Sequence, residues 1–246
     1  MTRRLIVVVM IFVCTWLCAD SSQALRRRGY PTIKVGTATM IQPGDVINII
    51  EREGYTLGYA PKFKQCVWVA YRLHPKDFES KVGRVGTFAR DLNCPQAFLP
   101  TDYIGSGFDR GHMAPSGDMQ FSLKAQKESF LMGNIVPQRP RINRGEWKRL
   151  ETEVREMVMP KDEPYLQRHR PIYVITGPIF SSSTQQEEHK TEKPQKRLSP
   201  IPIAFYKVCR FNGKSKAFLI ENNPNARLKV VDLLEVEAKT GLSFTR

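Results

Sequence analysis

Residues 109–115 read Asp109-Arg110-Gly111-His112-Met113-Ala114-Pro115, and the rest of the chain is best understood outward from them. A histidine directly after Arg-Gly, with an aspartate in front, sets a proton acceptor beside a fixed cation at a sharp backbone bend. Gly133-Asn134-Ile135-Val136-Pro137-Gln138 follows, and then Asn143-Arg144-Gly145-Glu146-Trp147 running on to Glu151. An imidazole, an amide oxygen able to hold a hard metal, and several arginines are the parts that phosphodiester cleavage needs.

Around this centre the pattern is mixed. Val67 to Leu73 is β-branched and aromatic and predicts a core strand. Residues 74–100 are loop-like, with turns at Pro75, Gly83 and Pro95. Ser122 to Phe130 has helix-forming composition after a serine cap. From Asn143 onward Trp147, Leu150, Val154, Met157 and Val158 fall on one helical stripe, which Pro160 ends. Ile172 to Thr176 predicts a strand closed by Gly177-Pro178, and Ile201–Val208 and Ala217–Ile220 predict two more. Ser181 to Pro200 is polar and predicts a long exposed loop, and Val230 to Lys239 a closing helix stopped near Gly241. There is no regular β-α-β alternation and no Gly-rich dinucleotide fingerprint, which favours α+β with an antiparallel sheet.

The chain has 246 residues. Arg3 and Arg4, the apolar run Leu5–Cys18 and the small residues Ser22-Gln23-Ala24 predict a cleaved signal peptide over residues 1–24. The apolar run is short for a membrane span, so no stable membrane association is expected after cleavage, and the location is secreted or periplasmic. Residues 25–64 are expected to form an N-terminal arm and 65–246 one domain. Of the net charge of +14, the leader holds Arg3, Arg4 and Asp20, which leaves +13 on the mature part. That excess favours polyanions, either nucleic acid or an anionic surface. Cys66, Cys94 and Cys209 allow at most one internal bridge, with Cys66–Cys94 preferred and Cys209 a buried thiol. Zinc-ribbon spacing, a His-Glu-x-x-His helix, a Gly-x-Ser-x-Gly elbow and a phosphate-binding Gly-Lys loop are all missing from the sequence.

Each candidate has a plain alternative. His112 either deprotonates water, as an imidazole of pKa about 6.5 can, or caps a turn. Asn143 either anchors a hydrated Mg²⁺, for which Mn²⁺ is a possible substitute, or caps its helix. Glu151 and Arg155, four apart, either form a helical salt bridge or position a metal-bound water and a phosphate. Arg110 either clamps a phosphate or pairs with Asp109. Asn134 either orders the site by hydrogen bonds or is a turn asparagine. His74, His169 and His189 read as solvated loop residues.

Taken together, Asp109–His112, Asn134–Gln138 and Asn143…Glu151…Arg155 resemble the DNA/RNA non-specific endonucleases, the ββα-metal nucleases. The resemblance extends over roughly residues 65–245, through Trp68–Tyr71, Tyr103–Phe108, Tyr173–Pro178, Ile201–Val208 and Thr240-Gly241-Leu242. It implies a central antiparallel sheet flanked by helices and a ββα-metal active-site motif. It implies hydrolysis of DNA and RNA without sequence specificity, giving 5′-phosphate products. His112 would be the general base, Asn143 the direct ligand of Mg²⁺, and Glu151 a ligand of one of its waters. Arg155 and Arg110 would support the phosphate. An upstream arginine, Arg90 or its close rival Arg84, would join them on the substrate side, with Asn134. The alternative is a catalytically inactive polyanion-binding protein on the same scaffold. The short stretch between Gln138 and Asn143, Met113 after the histidine, and the Ser181–Pro200 loop depart from the pattern.

Overall fold

The computed structural model describes residues 32–35, 45–79, 81–158, 171–181 and 198–245. The predicted leader, His169, His189 and nearly all of the Ser181–Pro200 loop lie outside these residues. Eleven strands and three α-helices are formed among them. The strands are β1 (Thr32–Val35), β2 (Asn48–Glu51), β3 (Tyr55–Ala60), β4 (Gln65–Leu73), β5 (Asp109–His112), β6 (Ile135–Gln138), β7 (Ile172–Ile179), β8 (Ala204–Phe211), β9 (Lys214–Glu221), β10 (Lys229–Val231) and β11 (Leu242–Thr245). The helices are α1 (Leu123–Glu128), α2 (Lys148–Val158) and α3 (Leu233–Thr240). A seven-stranded sheet runs in the order β10-β9-β8-β7-β4-β3-β2, with β5-β6 and β1-β11 as two-stranded additions, and every ladder is antiparallel.

The sheet separates two cores. One holds Tyr71 and Leu73 of β4 with Trp147, Leu150, Val154 and Val158, so the predicted helical stripe packs onto this face. The other holds Val67, Trp68 and Ala70 with Val236 of α3 and Leu242 and Phe244 of β11. Val67 and Trp68 point the same way because the ladder slips there. Gly58 lies opposite Trp68 and Tyr59 opposite Cys66, which leaves Val67 as the extra residue of a bulge. The Tyr206 hydroxyl donates to the freed Val67 carbonyl at 3.1 Å. Gly177 makes room for this contact, since a Cβ there would sit 2.9 Å from that hydroxyl.

Ser122 and Gly241 act as the sequence indicates, and further caps and turns settle the other ends. Ser122 caps α1 by accepting from the Lys124 and Ala125 amides, and Asp232 caps α3 in the same way. Gly241 takes a left-handed φ of 73° and closes α3 through its N–H to Glu237. Asn212-Gly213, both at positive φ, form the two-residue turn between β8 and β9.

Four expectations are corrected. Residues 48–60 belong to the main sheet as β2 and β3, so the folded domain reaches well into the stretch read as an arm. Gly177-Pro178 do not end their strand, because β7 continues to Ile179 against β8. Val230 lies in β10, and α3 begins only after the Asp232 cap. Cys66, Cys94 and Cys209 are all buried free thiols, so the expected Cys66–Cys94 bridge is not formed. Burial pushes the Cys66 and Cys209 thiols up to about 12, and burial together with the Asp91 carboxylate raises that of Cys94.

Candidate active site

The site grows from the β5–β6 hairpin and the helix that follows it. Asp109 lies opposite Gln138 and His112 opposite Ile135. Gly111 is the residue that this pairing allows, because a Cβ there would meet the Gln138 side chain, with its Cβ at 2.8 Å. Asn134, at the entry to β6, secures the bend beyond the histidine. Its Oδ1 accepts the Ala114 N–H at 2.8 Å, and its Nδ2 donates to the Ala114 and Ser129 carbonyls, each at 2.9 Å. Asn134 is fully buried and its amide is spent on these backbone bonds, the hydrogen-bonding reading of the two that the sequence offered.

His112 stands on two aromatic rings, 5.4 Å from Phe88 and edge-on to Phe130 at 5.0 Å. Its Nε2 is buried and has no hydrogen-bond partner among the described residues. Burial, aided by the Arg84 charge, pulls its pKa down to about 3. The ring is therefore neutral at physiological pH. Arg84 sits 5.0 Å over the same Phe130 ring. Both arginines are exposed, and Arg90 follows an Ala89 whose N–H and carbonyl are bonded to residues 130 and 132, whereas the Arg84 charge lowers the His112 pKa. Of the two upstream arginines, Arg84 is thus the one whose charge acts on the histidine.

Arg110 does not pair with Asp109. Its Nε and Nη2 donate to the Pro100 carbonyl at 3.2 and 2.7 Å, and its guanidinium lies 5.1 Å over Phe88 and 5.9 Å over Tyr103. The Asp109 carboxylate instead accepts from Arg144 Nε and Nη2, at 2.8 and 2.7 Å, and from Asn143 Nδ2 at 2.9 Å. Burial alone would raise its pKa, but these donors outweigh it and hold the carboxyl below the ordinary range.

Asn143 is not a helix cap. It lies inside a π-helical turn, Ile142–Trp147, kinked at Gly145, and its own N–H bonds the Arg139 carbonyl at 2.9 Å. Wide turns of this kind recur at functional positions. A carboxylate only accepts hydrogen bonds, so Asp109 obliges the amide to turn its NH₂ inward. The Asn143 Oδ1 is left as an acceptor, with no protein donor among the described residues. One end of the β5 strand thereby fixes the amide, and the other carries the histidine.

Below them lies a charged cluster that only partly matches expectation. Glu151 and Arg155 share a face of α2, but Arg155 Nη1 donates to Asp118 Oδ1 at 2.6 Å and Nη2 to Thr152 Oγ1 at 3.2 Å. Burial, opposed by Lys207 and assisted by Asp118, raises the Glu151 carboxyl to about 7. Lys207 is fully buried, 3.3 Å from the Tyr71 hydroxyl and 4.9 Å over the Trp147 ring. Asp118, Tyr71 and Lys207 were not anticipated. A lysine inside the otherwise apolar run Ile201–Val208 was the one signal that could have found Lys207.

Comparison with known proteins places the chain in a family. The sequence model of the DNA/RNA non-specific endonucleases matches residues 36–246, and the chain belongs to that family. It is 31% identical over 163 residues to mitochondrial endonuclease G of Homo sapiens, covering 64% of this chain and 52% of that protein. It is 30% identical over 228 residues to a nuclease of Syncephalastrum racemosum, covering 82% and 68%. Nuclease C1 of Cunninghamella echinulata is 30% identical over 221 residues, covering 82% and 84%. The chain thus spans about half the length of the human mitochondrial relative and more of the fungal ones. A crystal structure of an EndoG/EndoGI complex shares the fold, with a TM-score of 0.62 at 24% identity over 82% of this chain and 87% of that one.

Proposed function

We propose that this protein is a metal-dependent endonuclease that hydrolyses phosphodiester bonds of DNA and RNA without sequence specificity. The observation that carries the reading is the Asp109–Asn143 bond: the strand that presents a neutral, unpartnered His112 also locks a carboxamide oxygen outward. Asn143 Oδ1 would hold Mg²⁺ or Mn²⁺, with Glu151 taking one of its waters. A hard cation with one neutral oxygen ligand keeps a largely hydrated shell, as Mg²⁺ prefers. Bound there, the ion supplies positive charge to the phosphoryl oxygens and the departing 3′ oxygen.

The chain's own groups do the rest. His112 takes a proton from water, whose oxygen attacks phosphorus, and the P–O3′ bond breaks, the departing 3′ oxygen taking its proton from a second water. The products carry a 5′-phosphate and a 3′-hydroxyl. Arg110, held on Phe88 by the Pro100 carbonyl, and Arg84, over Phe130, balance the phosphate's charge. Arg155, fixed by Asp118, holds the helix face that carries Glu151. Contacts confined to phosphates leave the bases unread, so neither sequence nor sugar is selected.

We also propose export through the leader at residues 1–24. Among the described residues no helix is long and apolar enough to cross a membrane. N-terminal sequencing of the secreted protein tests this, with Leu25 expected first. Plasmid nicking tests the activity. Supercoiled DNA should be cut with Mg²⁺ and left intact with a chelator, and His112→Ala should slow turnover by about 10²-fold or more while DNA binding persists. A wild-type protein that binds DNA but never nicks it would establish the inactive, polyanion-binding alternative.

A further inference from the structure

Arg139 follows Gln138 at the end of β6, and its carbonyl receives the N–H groups of both Ile142 and Asn143 at 2.9 Å. Its own N–H donates to Asn222 Oδ1 at 2.9 Å, so the backbone is held from two sides. The half-buried side chain lies over the Phe108 ring, 4.3 Å from its centroid. The Asp109–Gln138 pair puts Phe108 and Arg139 opposite each other, on the face of the hairpin that carries Arg110 and His112.

The other partly buried arginines have acceptors. Arg52 pairs with Asp91, Arg155 with Asp118, and Arg110 and Arg210 donate to carbonyls. Arg139 has no carboxylate partner among the described residues, and its Nε is buried without a hydrogen bond. Burial alone acts on it, lowering its pKa. A half-buried guanidinium with no counter-charge gains from an arriving anion.

We propose that Arg139, seated on Phe108, binds a backbone phosphate of the nucleic acid other than the one being cut. This rests on the function proposed above. From the level of His112 to that of Phe108 is four strand residues, roughly 13 Å along the hairpin. One phosphate cannot serve both ends, so the group bound at Arg139 belongs to a neighbouring nucleotide. The subsite would guide the strand along the hairpin face, past Arg110, to the histidine.

The test measures the affinity of His112→Ala protein for a labelled DNA duplex across a range of NaCl concentrations. Adding Arg139→Gln should weaken binding about 3- to 10-fold and flatten the slope of log Kd against log salt by about 0.9, the signature of one lost phosphate contact. Arg139→Lys, which keeps the charge, should retain the slope. An unchanged slope in Arg139→Gln overturns the subsite. Equal losses in the Gln and Lys variants also overturn it, because they assign the effect to packing on Phe108. These failures are separable from failure of the function: wild type that nicks plasmid while Arg139→Gln keeps the wild-type slope removes the subsite alone.

Discussion

At the scale of single residues, the site is built from groups denied their usual partners. His112 is kept neutral by burial and by Arg84, with a pKa near 3 in the fold against about 6.5 in the unfolded chain. The unfolded chain therefore binds the extra proton, and stability present above pH 6.5 is lost as pH falls toward 3. The contribution is up to about 1.4 kcal/mol per pH unit for one proton. Urea unfolding between pH 4 and 6 should show a shallower pH dependence in His112→Gln than in wild type, and parallel curves would mean a solvated, ordinarily titrating imidazole. Asp109 orients the Asn143 amide by accepting only. In Asp109→Asn the new amide can donate as well, so the Asn143 carboxamide is free to turn. The Mg²⁺ concentration for half-maximal nicking should then rise about tenfold or more, as expected for loss of a group that orients a metal ligand. An unchanged value would mean that the amide is oriented by something other than Asp109.

At the scale of elements, legibility followed periodicity. The α2 stripe, the β4 and β8 strands, the Ser122 cap of α1 and the Gly241 stop of α3 were readable because spacing and capping are local. Truncating that stripe with Leu150→Ala should cost about 2–5 kcal/mol in denaturant unfolding, since Leu150 is fully buried against the sheet. A loss under about 1 kcal/mol would mean that the helix does not depend on that contact. What the sequence concealed depends on contacts distant along the chain. Gly177-Pro178 looked like a stop, yet the glycine is there to clear the Val67 bulge and the Tyr206 hydroxyl some thirty residues on. Asn143 read as either a metal anchor or a helix cap, and only the Asp109 bond and the π turn show that its side chain faces the hairpin. Asp118 gave no local signal, because its partner Arg155 is 37 residues away.

At the scale of the whole molecule, the seven-stranded sheet divides labour between its faces. One face supports α2 and the charged cluster below the site, and the other is sealed by α3 and β11. The net charge of +13 left without the leader favours polyanions and does not select bases. Cleavage efficiency should therefore fall steeply and linearly on a log-log plot against salt, with little difference between DNA sequences. A flat salt response would divorce the charge from catalysis. The central claim is narrower: the carboxamide at 143 holds the metal and the imidazole at 112 does not. Titrating Mn²⁺ into the protein and following the free ion by electron paramagnetic resonance tests it directly. Wild type and His112→Ala should bind one ion with similar affinity and Asn143→Ala should bind it much more weakly; equal binding by all three would contradict the account.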